Sequence, residues 1–212
     1  MMSSLDAVLA QYENSKQSGG GAQGKMSQDE RMKKYFALIL GDKEKSGQRR
    51  VRILPTSDGS SPFKEAWYHE IQVGGQWQKF YDPGKNDNER SPLNEVYEEL
   101  ISTGKESDKE LAKQYRSRKF YIVKLIDRDR EEDGPKFWRF KHNTKADGVL
   151  DKIHPIFRTK GDVTDVEKGR DLILTLSLTK AGNGKEYTTI SSVIPDDPSP
   201  LHTDSSIAQQ WT

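Results

Sequence analysis

Two segments of the chain set cations beside flat rings: Tyr115-Arg116-Ser117-Arg118-Lys119-Phe120-Tyr121 and Lys136-Phe137-Trp138-Arg139-Phe140-Lys141. Unpaired nucleic acid needs both chemistries, positive charge along its phosphates and rings on which bases stack for about 1 to 3 kcal/mol each. A single segment of this kind reads equally well as an ordinary strand, its aromatics turned into a core and its Lys and Arg wetting the outside. Two of them so close together, with Lys124 between, favour a binding surface. Residues 109–145 carry twelve basic side chains against six acidic ones, in a chain whose net charge is only +1. The positive charge is therefore local, which marks a candidate anion-binding face.

Other chemistries find little support. The chain has no cysteine, which removes disulfides, thiolate zinc sites, iron–sulfur clusters and cysteine nucleophiles. His69, His142, His154 and His202 show no metal-ligand spacing. Asp127, Asp129, Glu131, Glu132 and Asp133 could imitate a magnesium site, but they alternate with Arg128 and Arg130 and precede Gly134-Pro135, the pattern of a solvated hairpin loop. Gly74-Gly75 and Gly182-Asn183-Gly184 read as turns, since neither opens a helix as a phosphate-binding loop does. The expectation is a non-enzymatic protein with no metal and no cofactor.

The elements that must position these residues are mostly strands. With 212 residues, 32% hydrophobic and 32% charged, and a mean hydropathy of -0.91, one main domain with an economical core is expected. Residues 35–40 and 49–54 read as a first hairpin, and residues 63–73 and 76–81 as a second, turned by Gly74-Gly75. Ser91-Pro92 opens a helix that holds Leu93, Val96, Tyr97, Leu100 and Ile101 on one face until Gly104, and a Ser107/Glu110 capping box predicts a second helix. Further strands are expected at 119–126, 136–141, 171–178 and 186–194, with a short helix at 149–153 stopped by Pro155 and an irregular stretch over 195–212. Seven or so short strands with helices inserted between them suit a mainly β, α+β fold built on a partly open barrel better than a parallel sheet. Before this body, residues 4–14 place Leu5, Val8, Leu9 and Tyr12 at helical spacing, tethered by a Gly/Ser/Gln-rich linker. No segment is apolar enough to span a membrane, and the first residues lack the layout of a secretory signal, so a soluble, unexported protein is expected.

Arg50-Val51-Arg52-Ile53-Leu54-Pro55, Ser61-Pro62-Phe63, Tyr68-His69, Gly75-Gln76-Trp77, the Lys109-Glu110 helix leading into the first basic-aromatic strand, Lys136 to Phe140 and Leu150-Asp151-Lys152-Ile153 follow one another in a recognisable order. In that order they resemble the replication single-stranded-DNA-binding proteins of T-even-type phages, over residues 35–195. The resemblance implies a five-stranded OB-fold core over residues 29–194, with a helical and hairpin subdomain inserted at about 63–115, flanked by an N-terminal arm (1–28) and a C-terminal segment (195–212). It implies coating of exposed single strands without sequence preference, in replication, recombination and repair inside an infected bacterial cell. Arg52, Tyr115, Arg116, Arg118, Lys119, Phe120, Tyr121, Lys124, Trp138, Arg139 and Lys141 are the expected DNA-binding residues. Neighbouring protomers, through Leu5, Val8, Leu9 and Tyr12, and replication and recombination proteins are the further expected partners. The family's zinc site, one histidine and three cysteines, has only His69 here; the cysteine positions fall near Asp82, Ser91 and Asn94. The residues alone leave two alternatives open: a general RNA or oligonucleotide-binding module, and a protein-interaction or virion module.

Overall fold

The computed structural model describes residues 27–41, 43–144, 147–182 and 184–212; the stripe of Leu5, Val8, Leu9 and Tyr12 lies outside the described residues. The first described helix, α1 (Gln28–Lys34), opens on a capping box: the Glu30 amide donates to Ser27 Oγ at 3.2 Å and the Ser27 amide to Glu30 Oε2 at 2.8 Å. The Ser-x-x-Glu spacing explains this helix, which follows directly on the expected linker. Lys33–Thr212 forms one compact unit.

Among the described residues seven strands make an open, antiparallel sheet: β1 (Ser46–Ile53), β2 (Lys64–Val73), β3 (Gln76–Tyr81), β4 (Ser117–Asp127), β5 (Lys136–Lys141), β6 (Arg170–Lys180) and β7 (Glu186–Pro198). Their order is β3-β2-β4-β1-β6-β7, with β5 on the opposite edge of β4. Strand β4 is the hub, pairing with β2 at Ser117 to Ile122, with β1 at Leu125 to Asp127 and with β5 at Phe120 to Leu125. Strand β1 changes partner at Val51, running beside β6 before it and beside β4 after it. Between β3 and β4 lie α2 (Pro83–Asn86), α3 (Pro92–Ser102) and α4 (Glu106–Ala112); α5 (Val149–Lys160) follows β5, and α6 (Ser205–Trp211) follows β7.

Period-two alternation sorts the sheet into two faces. Val51, Ile53, Tyr121, Val123, Leu125, Trp138, Phe140, Leu172, Leu174 and Leu176 point to one side, where Ile153 and Ile156 of α5 cover them. On the other side a smaller cluster of Leu54, Ile126, Leu201, Ala208 and Trp211 seats α6 over one end of the sheet.

Several elements differ from expectation. Residues 35–40 form no hairpin with β1; they meet β5 instead, through a single parallel bridge between Tyr35 and Phe137 and the Phe36 amide on the Phe137 carbonyl at 2.9 Å. Packing of Phe36 edge-on against Trp138, ring centroids 5.6 Å apart, holds them there. Helix α5 runs through Pro155 to Lys160. Proline removes one ladder bond, but burial of Ile153 and Ile156 on the core outweighs a loss of about 3 kcal/mol. Helix α4 starts at Glu106 without a side-chain cap, so Ser107 lies within its first turn. The supposedly irregular end instead extends β7 to Pro198 and adds α6, which Asp204 caps by accepting from the Ser206 amide. The acidic loop folds into a 3₁₀ segment (Arg128–Asp133) tied down by Arg130–Asp133 at 3.0 Å and Lys136–Asp133 at 2.9 Å.

One buried carboxylate joins these parts. Asp171 on β6 accepts from Arg52 Nε at 2.8 Å through Oδ1 and from Arg128 Nε at 3.0 Å through Oδ2. Arg52 is fully buried, and its Nη2 also donates to the Ser199 carbonyl at 2.9 Å. Burial pushes the Arg52 guanidinium below its ordinary pKa, and Asp171 opposes the shift. Arg128 Nη2 donates to the Leu201 carbonyl at 2.9 Å. Asp171→Asn would leave two guanidinium groups without their shared anion, at a cost of about 3 to 5 kcal/mol. A large fall in the thermal midpoint is expected for this variant, whereas Glu95→Gln, which breaks the exposed Arg90–Glu95 pair, should leave the melt nearly unchanged.

Candidate nucleic-acid interface

The face of the sheet opposite the main core is built by register. Tyr68 pairs with Tyr81, Glu70 with Lys79 and Gln72 with Trp77 across β2 and β3. Arg118 pairs with Tyr68 and Phe120 with Ala66 across β4 and β2; Lys141, Arg139 and Phe137 of β5 pair with Phe120, Ile122 and Lys124 of β4. Directly paired side chains share a face, so the four strands β3-β2-β4-β5 present Trp77, Lys79, Tyr81, Tyr68, Arg118, Phe120, Lys124, Phe137, Arg139 and Lys141 together. Three of these rings are open to solvent: Trp77 at 69%, Tyr81 at 49% and Phe137 at 41% exposure.

Rings and cations interleave across the surface. Tyr68 meets Tyr81 and Phe120 edge-on at centroid distances of 5.9 and 5.6 Å. The Arg139 guanidinium lies 5.0 Å from the Tyr68 ring centre, while Lys79 and Lys141 approach the Phe120 ring at 5.6 and 5.7 Å. Phe120 is buried beneath them. Glu70 is the acid among them, with Lys79, Arg118 and Lys141 around its carboxylate. The surface can hold phosphates on its cations and offer exposed rings to unstacked bases.

The expected site residues divide by strand parity. Arg118, Phe120, Lys124, Arg139 and Lys141 share this face. Lys119, Tyr121 and Trp138 point to the opposite side: Lys119 pairs with Glu65 at 2.8 Å and lies against Trp67 and Tyr121, and Trp138 is 2% exposed inside the core. A ring in that position cannot stack on a base without unpacking. Arg52 has the correct parity but is sealed by its bonds to Asp171 and Ser199. Arg116 is exposed just before β4, and the Tyr115 carbonyl is taken by His69. Lys124 donates to the Trp211 carbonyl at 3.2 Å, where α6 borders the face. Tyr68, Trp77, Lys79, Tyr81 and Phe137 were not expected. The Gly74-Gly75 turn could have located the first four, because it sets the β2–β3 register and hence which residues share a face.

His69 and the positions standing for the family's cysteines do meet in space. His69 Nδ1 donates to the Tyr115 carbonyl at 2.7 Å, and its Nε2 lies 3.6 Å from Asp82 Oδ2, with both side chains fully buried. Asp82 Oδ1 accepts from the amides of Gly84 at 3.0 Å and Lys85 at 3.3 Å and from Asn94 Nδ2 at 2.8 Å. A Cβ on Gly84 would stand 2.8 Å from Asn94 Nδ2 and 3.0 Å from Ser91 Cβ, so any larger residue there would have to displace these side chains. These residues do not fit zinc: Asn94 presents a donor, one carboxylate oxygen is spent on three N–H groups, and no thiolate completes a tetrahedron. Among the described residues no group of three His, Asp or Glu is placed to hold a metal. A hydrogen-bonded polar cluster anchors the helical insert at this point.

A family model described as gp32 DNA binding protein like matches residues 45–212, from the first strand through the last helix. The chain belongs to this family of gp32-like DNA-binding proteins. It is the family that the ordered residues resemble. None of the curated proteins compared with the chain matches it. No described helix is long and apolar enough to cross a membrane.

Burial works against the Asp82 charge, yet Ser117, Asn94, Ser91 and the Lys85 amide around it hold the carboxyl below the usual aspartate range. Its stabilisation is therefore complete above the ordinary aspartate value and is lost as pH falls through the lower folded value. Asp82→Asn should cost about 1 to 3 kcal/mol at neutral pH, and denaturant melts should show the gap to the parent protein closing in acid. A strong chelator should leave the parent melt unmoved.

Proposed function

We propose that the protein binds single-stranded DNA without sequence preference along the β3-β2-β4-β5 face, coating strands exposed during phage-type replication, recombination and repair in the host cell. The observation that carries this reading is the shared face itself, which sets rings and cations from four strands on one surface. Membership of a DNA-binding family supports it. The chemistry is stoichiometric: phosphates displace counterions along the cations, and bases leave their own stack for protein rings. Trp77, Tyr81 and Phe137 are the open stacking positions, and Arg118, Lys79, Arg139, Lys141 and Lys124 line the phosphate path. A five-stranded OB-type barrel is the fold proposed for the core, supported by the way β1 is shared between β6 and β4. The segment carrying Leu5, Val8, Leu9 and Tyr12 is proposed to link protomers on the same strand, and replication and recombination proteins to be the other partners.

Titrating oligo-dT at several salt concentrations tests the reading. Arg139→Ala combined with Lys141→Ala should weaken binding and reduce the steepness of the log K against log salt line by about 1.4, roughly 0.7 per lost phosphate contact on a single strand. A folded double variant with an unchanged line would move the binding surface elsewhere. Of the four tryptophans, Trp138 and Trp211 are buried and Trp77 is the most exposed. Trp77→Phe should therefore abolish most of the fluorescence quenching on DNA binding while leaving the melting temperature unchanged.

A further inference from the structure

Resting on the proposed single-strand reading, we propose that Glu70 occupies a phosphate subsite: its carboxylate holds three cations together in the free protein and gives them up to a DNA phosphate on binding.

Three strands aim a cation at this one side chain. Lys79 Nζ of β3 lies 3.3 Å from Oε1 and Arg118 Nε of β4 lies 3.6 Å from Oε2, and Lys141 Nζ of β5 donates to Oε2. Lys79 is the direct cross-strand partner of Glu70, but Lys141 stems from a strand two places away. It reaches Glu70 across Phe120, whose own β2 partner is the small Ala66. An exposed ion pair contributes little to stability and costs side-chain entropy, so folding alone gives scant reason to gather three long cations on one acid. The cluster also carries more positive than negative charge. One carboxylate against three cations leaves an excess that a phosphodiester, with its further oxygens, can satisfy.

The carboxylate is well suited to stand in for such a group. It is the most shielded member of the cluster, 19% exposed against 37% to 43% for its three partners. Burial alone would raise its pKa, but Lys141 and Lys79 hold it below the usual glutamate value, so it stays charged at neutral pH. Glu70 thus keeps the cations oriented and keeps Lys79 and Lys141 over the Phe120 ring. It also opposes the phosphate that would replace it. The trade is lower affinity for a groove that is already assembled and a strand that can leave.

Glu70→Gln in the full chain isolates the charge, because the amide keeps the shape and one acceptor oxygen. Oligo-dT titrations over a salt series should show binding tightened about tenfold at moderate salt, with the salt line steeper by about 0.7 or more. Glu70→Asp, which keeps the charge, should retain the parent slope, and neither change should move the melting temperature appreciably. Unchanged or weaker binding by folded Glu70→Gln would overturn the proposal, and so would a Glu70→Asp slope matching that of Glu70→Gln. Lys141→Ala, run in parallel, separates the two levels of inference. If it weakens binding while Glu70→Gln has no effect, the subsite falls and the face stands; if neither variant alters binding, the face falls with it.

Discussion

The carboxylate of Asp171 is the constraint on which the rest of the arrangement depends. It binds two buried or half-buried arginines at once, Arg52 from β1 and Arg128 from the start of the 3₁₀ segment, and those arginines hold the Ser199 and Leu201 carbonyls after β7. Two strands, the 3₁₀ segment and the stretch after β7 are thereby tied to one point. The approach is close enough that a Cβ on Gly169 would meet the Asp165 carbonyl oxygen at 2.2 Å and Arg52 Nη1 at 2.7 Å. A buried charge cluster of this kind adds little net stability over an apolar replacement of the same shape, but once present each member needs its partners. Its consequence for function is placement. By drawing the stretch after β7 over Arg52 and seating α6 on Leu54 and Ile126, it closes one end of the outer face and leaves the β3-β2-β4-β5 end open.

Within that open end, function follows from register more than from composition. The two strands richest in cations and rings are each split by the pleat, so Tyr121 and Trp138 serve the interior and Lys119 lies on the same opposite side, while their immediate neighbours face outward. Lys136 illustrates the cost: its ammonium is buried and is compensated by Asp133 at 2.9 Å and Asp127 at 3.6 Å. Burial raises the Asp127 carboxyl above its ordinary pKa, opposed by the neighbouring Lys136 ammonium. The acids that looked like a solvated loop are in part counterions for a lysine the fold turns inward.

Hydrogen bonds give the helical insert a fixed point between the β2–β3 hairpin and α3. Asp82 provides it by capping α2 and accepting from Asn94 on α3, while His69 bonds to the residue that leads into β4. Hydrogen bonds of this sort depend on close approach, which is why Gly84 matters there. The insert in turn carries β3, and with it Trp77, Lys79 and Tyr81, to the edge of the face.

What the sequence by itself determined is local. The Gly74-Gly75 hairpin, the Ser91-Pro92 helix start, the strands at β4, β5, β6 and β7 and the positive region all follow from turn chemistry, proline geometry and period-two patterning, each decided by residues a few positions apart. The ordered motifs also pointed to the family. Only the tertiary structure decided which half of each alternating strand faces outward, because parity is set by what lies on either side of the sheet. No local pattern reveals that α5 covers Trp138 and Phe140 while, among the described residues, Phe137 and Arg139 stay exposed. The burial of Arg52 is hidden from the sequence for the same reason: an arginine's exposure depends on partners 113 to 147 residues away, and those contacts exist only once the segment after β7 has folded back over β1. Residues 35–40 and the helix through Pro155 were decided likewise, where packing on Trp138 and the main core outweighs what the segment prefers alone.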